Sequence, residues 1–401
     1  MKKIFIAVLM MLCTSTAFAG DSEPLKAILK AKTYDEAKAL VQNNLSNLAG
    51  VEEKAKAYNK LVELAGETYD HEIGIVQENM VAEQLGQGKS KPYDTLALYD
   101  ASYELLENAL ECDKYDQMPN EKGKVKAKFH QANQLRAANA RLQLINAGQR
   151  AAQNGNNADV LKYWGRYVDT GSAPLFADMP NNQDQYIGQI ANYAARFAYQ
   201  EKDYDRASRY IDIALQDPEQ YKDALDLKVY LGQQNLKTSE DTIKFLKEVE
   251  DLYAKDNTNN TLFATLGTLY SNLGMKDKSK QFVDEKLAAD PANQTAWALK
   301  GQNLMSENNY DGAIDAYKKA DLNNVVVLTY LAFCLNNKAI NTNNASQQKA
   351  LFTESMGYLE KARDLDPDRQ LANWTYPLYQ CYYSLYGEGD SRTKAIEKLI
   401  R

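Results

Sequence analysis

Histidine and cysteine are scarce: the 401 residues contain 2 His and 4 Cys. That leaves little material for a zinc site, which draws on Cys and His at short spacings, or for a His-centred proton relay. Proline and glycine are also few, 9 and 20. Almost no stretch alternates Val, Ile or Thr with polar residues, which excludes a fold built on half-buried strands. Positive charge is in deficit, 47 Lys and Arg against 54 Asp and Glu for a net of −7. That argues against a dedicated nucleic-acid binder, because neutralising phosphates takes clustered cations. No apolar run approaches the about 20 residues that span a bilayer, so no integral membrane segment is expected. What remains, 44% hydrophobic and 25% charged residues, is an ordinary globular composition with length for two or three domains' worth of core.

Residues 1–19 have the layout of a cleavable signal peptide. Lys2 and Lys3 are the positive start, Ile4 to Leu12 the apolar stretch, and Ala17-Phe18-Ala19 the small-residue cleavage site. Cleavage after Ala19 takes the 47 basic residues to 45 against 54 acidic, a net of −9. Cys13 precedes this site and follows Met10-Met11-Leu12, which lacks the small residues of lipoprotein processing, so a lipid anchor is disfavoured. The expected location is outside the cytoplasm, in the periplasm first, with secretion or surface association as other destinations. Of the remaining thiols, Cys112, Cys334 and Cys381, no two form a CxxC pair. Three small buried apolar residues is the simplest reading, although Cys334 and Cys381 lie on neighbouring predicted helices and could bridge.

Apolar residues recur at i, i+3, i+4 and i+7 throughout, as in Tyr310, Ala313, Ile314, Tyr317 and Ala320, or Ala207, Tyr210, Ile211 and Ala214. The expected helices are about twelve to sixteen residues long and close in Asn-, Asp- or Gly-rich turns such as Asp256–Asn260. Self-comparison shows a period: Phe263, Gly267, Ser279 and Val283 return 34 residues later as Trp297, Gly301, Ala313 and Tyr317. The tetrapeptide Tyr-Asp-x-Ala recurs at Tyr34, Tyr204 and Tyr310. Leu266-Gly267, Tyr270, Gly274, Val283 and Pro291 in one unit, with Trp297, Gly301, Leu304, Ala313, Tyr317 and Ala320 in the next, resemble the tetratricopeptide repeat family of bacterial exported type.

The resemblance implies an all-α fold, a tetratricopeptide-like right-handed α-α superhelix over residues 181–401, and it is strongest from Gln183 to Pro367. Small residues at Gly267, Gly301, Ala207 and Ala313 would let helix backbones approach while rings fill the space beside them. Pro291 and Pro367 fall where the next unit's first helix is expected to begin. An Asn-rich insertion, Asn336 to Asn344, is expected to lengthen an interhelix loop. Residues 20–180 match less well. Thr33–Leu45 looks like a second helix and Val51–Thr68 like the next first helix, whereas Pro92–Glu111 and Lys124–Asn154 exceed the family's usual length. They are degenerate repeats or a capping bundle, with the boundary expected in the turn-rich Gly171–Asn182.

Each candidate for chemistry meets a plainer reading. Gly86-Gln87-Gly88-Lys89-Ser90 ends like a phosphate loop, but Glu83 stands in place of its first glycine and no strand precedes it. Asp364, Asp366 and Asp368 have calcium-loop spacing, yet Arg369 and Thr375 replace the required glycine and glutamate, leaving an acidic helix end. His71 and His130 have no ligand cluster at metal spacing and read as surface or cap residues. Catalytic, cofactor and metal residues are therefore assigned to none. Lys122, Lys124, Lys126 and Lys128, followed by His130, Arg136 and Arg141, form a basic stretch that reads as the solvated face of a long helix or as a dock for an anionic envelope polymer or acidic partner.

The family pattern places Gln189, Asn192, Arg196 and Tyr199, then Ala264, Thr268 and Ser271, then Ala298, Gln302 and Met305 on the groove-facing side of the first helices. This lining is mostly neutral and lacks the Lys/Asn/Arg set that clamps a peptide's terminal carboxylate in some family members. The function implied is that of a scaffold or adaptor, not an enzyme, binding a protein or extended peptide in the cell envelope. The 27 Tyr fit both core packing and ring contacts in such a groove. The competing reading is an envelope-polymer or glycan-binding amino-terminal region, hydrolytic only if acids such as Glu107 and Glu111 act as a pair, although like charges at i, i+4 usually face water.

Overall fold

The computed structural model describes residues 20–86, 90–179 and 184–400, and these are helical with no strand. Residues 1–19, expected to be a signal peptide, residues 87–89 of the phosphate-loop-like segment, and Pro180–Gln183 lie outside the described residues. Two compact units divide at Lys228/Val229. The turn-rich segment around Gly171–Met179 lies within the first of them.

The amino-terminal unit contains α1 (Glu23–Lys30), α2 (Tyr34–Asn44), α3 (Gly50–Gln84), α4 (Thr95–Asp116) and α5 (His130–Gln153). There follow α6 (Asn157–Val160) and α7 (Arg166–Asp169), joined through a π turn at Leu161–Gly165, then α8 (Ile187–Gln200) and α9 (Tyr204–Ala214). Helix α3 runs 35 residues, not the single repeat helix expected over Val51–Thr68. It forms a long antiparallel hairpin with α4: Asn79 meets Lys91, Glu72 meets the amide of Asp94, and the Ala55 carbonyl meets Cys112. The buried stripe of Ala57, Leu61, Leu64 and Leu105 continues far enough to carry both helices past family length.

The expected helix over Lys124–Asn154 begins only at His130. Residues 117–129 are a loop, for identifiable reasons. Gly123 adopts φ +70, a conformation that costs glycine little and breaks a right-handed helix. The Asp116 carboxylate accepts from the amides of Lys128, Phe129 and His130 at 2.8, 2.7 and 3.1 Å, capping α5 from the end of α4.

Helix α10 (Tyr221–Gln234) carries the division between units, and the carboxy-terminal unit continues with α11 (Ser239–Lys255), α12 (Asn260–Asn272), α13 (Lys276–Ala289), α14 (Gln294–Ser306) and α15 (Tyr310–Tyr317). It ends with α16 (Val325–Ile340), α17 (Ala345–Leu365), α18 (Thr375–Tyr386) and α19 (Ser391–Ile400). Each helix packs on the next, and α12, α14, α16 and α18 also pack on one another in succession. This is a tetratricopeptide-like stack of hairpins in which first helices form a shared layer.

The sequence punctuates these helices physically. Asn259, Asn293 and Asn324 each cap a first helix, their side-chain oxygens accepting from Leu262, Ala296 and Val326 amides at 3.1, 2.9 and 2.9 Å. Tyr-Asp-x-Ala opens α2, α9 and α15, with caps Thr33, Asp203 and Asn309, and its alanines, Ala37, Ala207 and Ala313, are fully buried. The 34-residue period is packing made visible. A Cβ on Gly267 would lie 2.4 Å from a methyl of Leu299, and one on Gly301 2.7 Å from the buried Tyr317 ring. Both distances are too short for a real Cβ, so a side chain at either position would force its neighbour to shift.

Two further expectations are corrected here. Most of the Asn-rich stretch lengthens α16, not the loop, because Asn336 is buried with its amide donating to the Pro377 carbonyl at 3.0 Å. Pro291 and Pro367 do not begin helices. They lie in the turns, ahead of α14 at Gln294 and α18 at Thr375.

Candidate functional site

The ten residues expected in a groove fall into two groups, one per unit. In the amino-terminal unit, Gln189 and Arg196 are exposed on α8, with the Gln189 amide donating to the Tyr193 hydroxyl at 3.3 Å. Tyr199 is half-buried, its ring 5.6 Å from that of Tyr204. Asn192 does not face a groove. It is 2% exposed on the packing stripe of Gly188, Ala191 and Ala195, and its amide donates to Gln220 at 3.3 Å.

In the carboxy-terminal unit, Thr268, Ser271, Gln302 and Met305 sit on the solvent side of α12 and α14, each half-buried. Ser271 is committed to packing: its hydroxyl and that of Ser279 both donate to Asn303 Oδ1, at 3.0 and 2.9 Å, tying α12, α13 and α14 together. Thr268 donates back to the Ala264 carbonyl at 2.9 Å, and Met305 packs with Trp297 and Ala298 against the α15–α16 core. Contact atoms on these two helices are therefore small and few.

The same face continues on α16 and α18, where its character changes. Every well-exposed residue of α16 is apolar: Val326, Tyr330, Phe333 and Ile340, with half-buried Asn337 completing the stripe. On α18, Tyr376, Tyr383 and Tyr386 are exposed and Tyr379 half-buried; the 376–379 and 379–383 ring pairs lie 6.4 and 5.8 Å apart. The Arg392 guanidinium stacks 3.5 Å from the Tyr386 ring centre. Neither stripe carries a charged residue. The spacing of Tyr376, Tyr379, Tyr383 and Tyr386 is the signal that was readable in the sequence. On α16 hydropathy gave no contrast, since Val325–Ile340 is apolar on its buried and exposed sides alike.

The remaining candidates resolve into structure. Glu107 pairs with Arg166 and Glu111 with Lys114, so the two acids do not act on a common point. Asp366 organises a turn, accepting from the amides of Gln370, Leu371 and Ala372 at 2.8, 2.9 and 3.2 Å. Burial pulls its pKa upward, but those three donors outweigh it and hold the carboxyl below the usual range. His130 opens α5 and is partly buried: it bridges Asp113 at 2.6 Å and Asp178 at 3.4 Å, and although burial opposes the cation, these carboxylates raise its pKa. Arg136 pairs with Asp70 and Arg141 is buried, so neither belongs with the lysine stretch. Cys112, Cys334 and Cys381 are free and buried. Burial pushes the Cys334 thiol up to about 12 and that of Cys381 to about 11, well away from a nucleophilic thiolate. Among the described residues no group of His, Cys, Asp and Glu could hold a metal, and no helix is long and apolar enough to cross a membrane.

The paired helices, the shared layer of first helices and the buried small residues at the 34-residue period together decide the architecture. These are tetratricopeptide-like repeats. No family model matches the chain, and no curated protein matches it. Among solved structures, a tetratricopeptide repeat protein from Parabacteroides merdae is similar at 11% identity and TM-score 0.37, covering 65% of this chain and 97% of its own. A repeat protein of the same kind from Bacteroides fragilis has 19% identity and TM-score 0.21, over 61% and 97%. Human IFIT1 in a dimer with m7Gppp-AAAA has 14% identity and TM-score 0.41, over 81% and 72%. Likeness this distant adds nothing to the assignment, which rests on the packing just described.

Proposed function

We propose that this chain is a binding scaffold, not an enzyme, and that it holds a protein or extended peptide across the first-helix face of its carboxy-terminal unit after export to the cell envelope. The observation that carries the reading is the exposed stripe of Val326, Tyr330 and Phe333 on α16 beside Tyr376, Tyr379 and Tyr383 on α18. Exposed rings on rigid neighbouring helices are the surface from which binding energy is drawn, because Tyr offers large contact area with little side-chain entropy to lose. The Thr and Gln positions on α12 and α14 extend the same face with neutral hydrogen-bonding groups. The export part rests on the signal-peptide pattern of residues 1–19.

Nucleic acid is disfavoured as the ligand of this face, even though similar structures of human IFIT1 hold m7Gppp-AAAA. The stripes carry no Lys or Arg in a chain of net charge −7, and phosphate recognition starts from clustered cations. The test is the combined variant Tyr330→Ser, Phe333→Ser and Tyr383→Ser. These side chains are exposed, so thermal unfolding should hold within a few degrees. Affinity for the partner recovered from the native envelope should fall more than tenfold, as expected for losing several ring contacts. Undiminished affinity would remove the face from the proposal.

A further inference from the structure

The lysine-rich loop of the amino-terminal unit is a separate feature that the face on α16 and α18 does not use. It is built, not slack. The Asn120 side-chain oxygen accepts from the amides of Lys122 and Lys124 at 3.0 and 3.2 Å, and Asp116 holds the other end through Lys128, Phe129 and His130. Between these anchors residues 124–127 run without helix or turn and are exposed. Lysine alternates with Gly123, Val125 and Ala127, and Lys124, Lys126 and Lys128 line one shallow notch together with Lys56, whereas Val125 and Ala127 do not. The backbone N–H groups of Val125, Lys126 and Ala127 have no partner among the described residues.

We propose that this loop receives an extended acidic peptide of a partner protein, with carboxylates at every second residue. The argument is one of register. Side chains on one side of an extended chain repeat every second residue, about 6–7 Å, so an extended partner strand alternating acidic and neutral residues keeps step with the lysines. The open amides of Val125 and Ala127, which an extended chain turns to the same side, supply main-chain donors through which a strand is added. A carboxylate already rests in the notch. Glu52 accepts from Asn120 at 3.0 Å and lies 3.9 Å from Lys126. Its carboxyl is held below the usual range first by that Asn120 bond, which burial opposes, and further by Lys126, Lys128 and Lys56. Single-stranded nucleic acid fits less well, because it needs free ring faces for its bases. Of the two rings that line the notch, Phe129 is half-buried, and Tyr115 stacks on Tyr58 at 5.8 Å with Lys54 and Lys114 over it at 5.5 and 5.6 Å.

The test uses the whole mature chain and two fluorescein-labelled peptides of equal composition, one alternating Glu and Thr, the other with its Glu and Thr in separate blocks. Fluorescence anisotropy should show the alternating peptide binding several-fold more tightly. The variant Lys124→Gln, Lys126→Gln and Lys128→Gln should weaken it about tenfold, the scale of three exposed ion pairs lost. The control Lys276→Gln with Lys280→Gln, exposed lysines in the other unit, should leave binding unchanged. Equal binding of the two peptides, no binding of either, equal loss in the control, or displacement by oligothymidylate at equal charge concentration would each overturn the proposal.

Discussion

Replacing Arg141 by Ala is expected to cost the amino-terminal unit about 3–5 kcal/mol, the range for removing one partner of a buried ion pair. The guanidinium, about a tenth exposed, donates to the Tyr167 carbonyl at 3.0 and 2.6 Å, to the Thr170 hydroxyl at 3.1 Å and to Asp184 at 2.7 Å. It also lies 3.8 Å from the centre of the Tyr167 ring, whose hydroxyl donates to the other Asp184 oxygen. Alanine would take the guanidinium donors from Asp184 Oδ2 and from the Tyr167 carbonyl, leave the partly buried carboxylate without its counter-charge, and open a gap beside the ring. Arg141→Lys should recover little, because one ammonium cannot reach three acceptors held in the plane of a guanidinium fork. Urea unfolding followed by circular dichroism measures the loss; a change under about 1 kcal/mol would show that the network is not what holds α5 to the segment around α7.

Trp374→Ala carries the second large effect, also about 3–5 kcal/mol, in the carboxy-terminal unit. Trp374 is 1% exposed and packs with Phe352, Leu359 and Leu378, while its indole N–H donates to the Asp366 carbonyl at 2.8 Å. The Asp366 carboxylate ties down the same turn, so ring and acid should not act independently. Trp374→Phe keeps most of the apolar volume and loses the hydrogen bond, for an expected cost of about 1–2 kcal/mol. In a double-mutant cycle, Asp366→Ala with Trp374→Ala should cost less than the two single changes added together, as residues sharing one network do. Strict additivity would separate the turn from the core.

The fold was legible where local chemistry and packing agree. Tyr-Asp-x-Ala marked three helix starts because an Asx or Thr cap and a fully buried alanine are both needed there. The 34-residue period was readable because Gly267 and Gly301 sit under neighbouring side chains with no space for a methyl group. What local pattern could not show was how far a helix continues: nothing in Gly66 or Gly74 ends α3, since its long partner α4 compensates the weak propensity. Only residues 124–129, expected to open the helix of Lys124–Asn154, prove to be loop, and their alternating lysines make sense once helix is ruled out there.

Of the candidate site, Gln189, Arg196, Gln302 and Met305 lie at least partly exposed, whereas Asn192 and Ser271 serve packing. The family pattern was followed along α12 and α14 and stopped short of α16 and α18, where the aromatic residues are. Counting 27 Tyr pointed to rings of some importance. Which of them reach solvent depends on how consecutive first helices lean on one another, and that is set by contacts far apart in sequence.

The most direct measurement is site-specific photo-crosslinking with a benzophenone side chain placed at Tyr330, Tyr383 or Gln281 in the full chain. Tyr330 and Tyr383 lie on the first-helix face, and Gln281 is exposed on the second helix α13. Adducts with the same partner at positions 330 and 383, and none at 281, are the expected result. Crosslinking at 281 with none at 330 or 383 would contradict the assignment of the recognition surface to the first helices.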